Sequence, residues 1–138
     1  MEAFAEYGHA IASVALTVVF GLVMSPLAAM RKTGAGLAPG AEPEADYGSS
    51  VFRWHRAYAN LSETMGFFVA SVAAAILAGA DPFWVNLLAS VFFVSRLVLA
   101  FVHIKGIGKP DMSARSFLYV AGWLACIILC LMAVLAVL

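Results

Sequence analysis

Arg53-Trp54-His55-Arg56-Ala57-Tyr58-Ala59-Asn60-Leu61-Ser62-Glu63 opens a long apolar run. Arg53, Arg56, Asn60 and Glu63 are spaced three, four and three apart, which places them on one stripe of a helix. Tyr58, Leu61 and Met65 occupy other faces, and beyond Glu63 the run is almost purely apolar. A polar stripe at the mouth of a membrane helix is costly, so it needs a reason.

Outward from that stretch, composition decides the class. Of 138 residues, 64% are hydrophobic and 12% charged, and the mean hydropathy is +0.96. Soluble domains carry about twice that share of charge. Four apolar segments, near 8–30, 53–79, 82–105 and 114–138, each reach the roughly 20 residues needed to cross a bilayer core. Together they use most of the chain, so the expectation is one all-α, integral membrane four-helix bundle over 1–138 that leaves no separate soluble domain. Glu2 and Glu6 precede the first segment without a basic residue, which reads as a retained span and not a cleaved leader.

Net charge is zero, so attraction to nucleic acid is not implied. The distribution of charge is more telling. Arg31, Lys32, Arg53 and Arg56 surround the first loop, and Arg96, Lys105, Lys109 and Arg115 surround the third. The positive-inside rule puts loops one and three in the cytoplasm and both termini on the opposite side. Cys126 and Cys130 lie one turn apart in the last helix and read as small packing residues, with no metal-ligand spacing.

Residues 33–50 hold Gly34, Gly36, Pro39, Gly40, Pro43 and Gly48, with Glu42, Glu44 and Asp46 between them, and read as a solvated connector. A lid over a site is the sharper alternative. Asp81 before Pro82 is a cap and start signal for the third helix. Asp111 or Ser113 is the expected cap of the fourth, after the breakers Gly106, Gly108 and Pro110.

Glu63 lies roughly 15 Å along its helix from Arg53, and Arg96 roughly 13 Å from Lys105. The two charges share a depth, so pairing across the helices is the expected economy, whether structural or shared with a ligand. Nearer the basic end lie Arg53, Arg56, Asn60, His103, Arg115, Ser116 and Tyr119, with few carboxylates to balance the cations. Lys32, Lys105 and Lys109 read as snorkelling headgroup anchors. The arginines point instead to a pocket for a small anion.

Arg-x-x-Arg-Ala-x-x-Asn-x-x-Glu at 53–63 resembles the second-helix signature of the MAPEG family, the membrane-associated proteins in eicosanoid and glutathione metabolism. Four spans, a basic first loop, Arg96 in the third helix and Arg115-Ser116 opening the fourth agree with it, so the resemblance covers essentially the whole chain. It implies a homotrimer that binds glutathione between subunits, a membrane lipid setting and a small hydrophobic second substrate. Arg53, Arg56, Asn60, Glu63, Arg96 and His103 would line the glutathione site, with Arg31 or Lys32 added by a neighbouring subunit. Arg115 looks like the arginine that stabilises the thiolate, and Ser116 and Tyr119 match its neighbours. The chain departs from the family pattern at Gly66 for proline, at Leu99 for a polar or aromatic residue, and at His103 for tyrosine.

The leading expectation is therefore a glutathione-dependent transferase or peroxidase. The alternative is a non-catalytic protein that binds a lipid headgroup or another small anion in the same basic pocket. A small exporter ranks lower, because its first helix would need an embedded carboxylate. Haem bound by His55 and His103 ranks lower too, since interfacial histidines are more often polar anchors.

Overall fold

A computed structural model of the chain describes residues 2–108 and 113–138. A short 3₁₀ helix, Glu2–Tyr7, leads into α1 (Gly8–Gly34), α2 (Ser50–Leu77), α3 (Pro82–Lys105) and α4 (Ala114–Val137). Among the described residues there is no strand, and four helices are long and apolar enough to cross a membrane. The helix ends differ slightly from those read in the sequence. α1 continues past Met30 to Gly34, and α2 starts three residues before Arg53, because Ser49 caps it by accepting from the Phe52 amide at 3.4 Å.

α2 and α3 each pack against all the other helices, and α1 and α4 flank them. With lipid outside, burial against water does not drive this packing; small residues that allow close approach do. Ala10, Ala75, Ala89, Ala125 and Ala133 are buried, and Phe68 of α2 stacks on Phe92 of α3 at 3.9 Å between centroids. Buried hydroxyls are satisfied within their own helices: Thr17 donates to the Ser13 carbonyl, Thr64 to Asn60, Ser71 to Phe68 and Ser95 to Phe92. Phe67, Leu22, Leu77 and Leu135 face outward, as a bilayer requires.

The end of the bundle away from the long loop is closed by a polar stitch. Tyr7 donates to the Ala80 carbonyl at 2.6 Å, and Asn86 both donates to the Glu6 carbonyl and accepts from the Ala10 amide. Asp81 caps α3 as expected, accepting from the Trp84 amide at 3.2 Å. The start of α4 departs from expectation. Ser113 occupies the cap position, but its side chain makes no capping bond; its backbone carbonyl accepts from Ser116 and Phe117 instead. Lys109, Pro110 and Asp111 lie outside the described residues.

Candidate functional site

Among the described residues Arg96 is the largest fully buried side chain, and its surroundings correct one expectation. It is 1% exposed. Its Nη1 donates to Asn60 Oδ1 at 3.1 Å and its Nη2 to the Tyr119 carbonyl at 3.3 Å. Its guanidinium lies over the rings of Phe92 and Tyr119, at 4.7 and 4.9 Å. Among the described residues it has no ion pair; Glu63 pairs with Arg56 at 3.6 Å instead. A helix advances about 100° per residue, so positions seven apart nearly coincide. Arg53 and Asn60 share one edge of the polar stripe and meet α3, whereas Arg56 and Glu63 share the other edge, away from Arg96. Equal depth was therefore not enough for pairing. Gly122 of α4 makes room for Arg96: a Cβ there would lie 2.7 Å from Nη2.

Above Arg96, at the loop end of the bundle, a pocket of about 380 Å³ is lined by Arg56, Asn60 and Glu63 of α2, His103 of α3, and Arg115, Ser116, Tyr119 and Val120 of α4. Loop one adds Tyr47. Seven of the ten residues singled out in the sequence thus converge on one space. Arg115 Nη2 donates to the Gly108 carbonyl at 3.0 Å, which ties the start of α4 to the third loop. Its guanidinium lies over the Tyr47 ring at 4.1 Å. His103 is 4% exposed, and its Nδ1 has no hydrogen-bond partner among the described residues. His55, its partner in the haem reading, is not among the lining residues.

Two basic residues, Arg53 and Lys32, behave otherwise than the sequence indicated. Arg53 is a structural clamp. Its Nε donates to the Ile104 carbonyl at 3.1 Å, and its Nη1 donates to the carbonyls of Tyr47 and Gly48, both at 2.9 Å. Gly106 permits this twice over: it caps α3 in the left-handed conformation at φ 68°, and a Cβ there would sit 3.1 Å from Arg53 Cδ. Arg31 stacks over Trp54 at 4.9 Å and is not among the residues lining the pocket of its own chain. Lys32 is buried rather than snorkelling, and donates to the Pro39 carbonyl at 3.2 Å.

Sequence reading missed Tyr47, since an aromatic among acidic and turn-forming residues looks like part of a connector. The signal that was present is the adjacent Asp46-Tyr47-Gly48-Ser49, a turn leading directly into the cap of α2. Tyr47, near the end of loop one, is part of the site wall.

A second cavity, of about 580 Å³, lies between α2 and α4 and is almost wholly apolar. Phe67, Ala74, Trp123, Ile127 and Leu131 line it, together with Arg96 and with Tyr119, which it shares with the polar pocket. Cys126 is buried as a packing residue should be, but Cys130 is exposed on the wall of this cavity.

Four apolar helices, three of which line a polar pocket at one end of the bundle, define a multi-pass integral membrane protein. The chain matches the model of the MAPEG family over residues 8–135, and it belongs to that family. Members of this family generally use glutathione as cosubstrate. No curated protein matches the chain.

The pocket residues fit such a ligand chemically. Glutathione carries two carboxylates, one ammonium and one thiol. Arg56 and Arg115 offer guanidinium groups for carboxylate or thiolate, and Glu63, not engaged by Arg96, offers an acceptor for the ammonium. The Arg56–Glu63 pair is half-exposed, with side chains 31% and 57% accessible. Such pairs contribute little to stability, so a ligand can exchange into both partners at small cost.

Proposed function

We propose that this chain is a glutathione-dependent transferase or peroxidase acting on hydrophobic electrophiles. The observation that supports it is the convergence of Arg56, Glu63, His103, Arg115, Ser116 and Tyr119 from three helices on one pocket. Arg56 holds a carboxylate of glutathione and Glu63 its ammonium. Asn60 both lines the pocket and steadies Arg96 beneath it. His103 adds its ring to the wall of the same pocket. When bound, glutathione supplies a nucleophilic sulfur for an electrophile or a peroxide.

A thiol with a pKa of ~8.5 is mostly protonated at neutral pH, and a cation at hydrogen-bond range shifts it toward thiolate. Arg115 is that cation, because it faces the pocket at the start of α4. Ser116 and Tyr119 supply hydroxyl donors to the same sulfur. The apolar cavity that shares Tyr119 with the pocket gives a hydrophobic second substrate a route from the bilayer.

The working form in this reading is a homotrimer. Arg31, which is not among the residues lining its own pocket, acts across a subunit boundary, with its guanidinium over the Trp54 ring. Arg53 is assigned a supporting part, holding the loop that walls the pocket.

The test is the ultraviolet thiolate band of glutathione mixed with purified protein at neutral pH, beside Arg115→Ala. A band in the wild type that is lost in the variant upholds thiol activation. Glutathione binding without a band would favour the alternative, a pocket for a lipid headgroup or another small anion. No binding at all would sink the glutathione reading.

A further inference from the structure

We propose that Tyr47 is a positioning residue for Arg115: its ring covers the guanidinium and holds that cation in its pocket-facing posture. The role in thiol activation rests on the function proposed above; the cover itself does not.

Tyr47 is fastened on two levels. Its backbone belongs to a turn in which the Gly48 amide donates to Asp46 Oδ1 at 2.8 Å and the Ser49 amide to the Asp46 carbonyl at 3.0 Å. Arg53 then grips the Tyr47 and Gly48 carbonyls while also holding the end of α3. The ring is held by one neighbour from each of three helices. Phe52 of α2 meets it edge-on at 5.1 Å, His103 of α3 stacks nearly parallel at 6.4 Å, and the Arg115 guanidinium of α4 lies 4.1 Å from its centroid. No other residue of loop one lines the pocket.

A cation within about 6 Å of an aromatic face is attracted by the ring quadrupole. The ring also keeps water from one side of the guanidinium, which strengthens the field it exerts on an anion in the pocket. An arginine without such cover has many rotamers and a hydration shell, and is a weaker anion stabiliser. The titratable and charged groups that also face this space are Arg56 and Glu63 of α2, His103 of α3 and Tyr119 of α4. Loop one thereby acts as part of the site's chemistry, and Arg53 acts on Arg115 through it.

Two readouts test this on detergent-purified protein, with Tyr47→Ala, Tyr47→Leu and Tyr47→Phe. The first needs no glutathione: the rate at which phenylglyoxal modifies Arg115, followed by peptide mass spectrometry, with Arg31 as internal reference. Tyr47→Ala should raise labelling of Arg115 at least severalfold and leave Arg31 unchanged. Tyr47→Leu, which keeps apolar bulk without a ring face, should do the same should the alanine variant fold poorly. Tyr47→Phe should match the wild type. The second readout is the apparent pKa of bound glutathione's thiol, taken from its thiolate band against pH. Loss of the ring should raise it by about one pH unit, and Tyr47→Phe should restore it.

Unchanged Arg115 labelling in both ring-less variants would overturn the proposal. So would a phenylalanine variant that behaves like the alanine one, or an unchanged thiol pKa where the wild type shows the band. Raised labelling of Arg115 in the ring-less variants, with no thiolate band in the wild type, would sustain the cover over Arg115 and remove the thiol-activation reading instead.

Discussion

Glu63 and Arg96 show how much one helical step matters. Both were expected at one depth, and depth along a helix is readable from residue count. Azimuth decides partners, and it turned Glu63 toward Arg56 while Asn60 met Arg96. Glu63→Gln should therefore weaken glutathione binding roughly tenfold by calorimetry and leave the melting temperature nearly unchanged, since the side chain is exposed. A large loss of stability would mean that Glu63 is structural after all. Gly122 makes the opposite case. A methyl group there meets Arg96 Nη2 at 2.7 Å, Ser95 Oγ at 3.0 Å and Arg96 Cζ at 3.1 Å. Gly122→Ala should cost about 1–3 kcal/mol in thermal or denaturant melts, because a buried cation held on two sides cannot shift freely. Gly21→Ala meets the flexible end of Met65 at 2.8 Å and Leu61 Cδ2 at an ordinary 3.8 Å, and should be far better tolerated.

At the scale of elements, loop one and the clamp that holds it carry the main surprise. Its glycines, prolines and acidic residues read correctly as a break between helices. Its closing turn was not legible, because Tyr47 acquires its role only from Phe52, His103 and Arg115, which lie on three different helices. Arg53→Ala removes bonds from loop one to the end of α3. Hydrogen exchange should speed up in residues 44–50 and in the third-loop backbone near 104–107, with the middle of α2 protected as before. Exchange confined to the loop-one peptide would mean that Arg53 does not couple the two loops. At the other end, Asn86→Ala deletes its two bonds to the 3₁₀ helix and the first turn of α1 and leaves the Tyr7–Ala80 bond in place. Exchange should quicken at residues 4–10 while the polar pocket still binds its ligand.

For the whole molecule, assembly and orientation are the outstanding physical quantities. The homotrimer belongs to the proposed function, in which Arg31, not among the residues lining its own pocket, serves a neighbouring subunit. Native mass spectrometry from detergent should give three times the 14.6 kDa chain mass; a monomer that binds glutathione normally would remove Arg31 from the site. Orientation rests on the bias of lysine and arginine toward one end of the bundle. Single cysteines placed in loop one should be shielded from impermeant thiol reagents in intact cells, and cysteines near residue 4 should be labelled. The reverse pattern would place the pocket on the opposite side of the membrane.

What the sequence by itself determined was the class of protein, the four apolar spans and the identity of most pocket residues. These depend on composition, on run length against bilayer thickness and on helical period, all of which are local properties of a chain. What only the tertiary structure decided was which polar groups meet. Arg96 chose Asn60 and two aromatic faces, Arg53 became a clamp, Lys32 turned inward, and Tyr47 joined the site. The reason is geometric: a hydrogen bond or a cation–ring contact forms or fails over a few ångströms, and that distance is set by the rotation and packing of neighbouring helices.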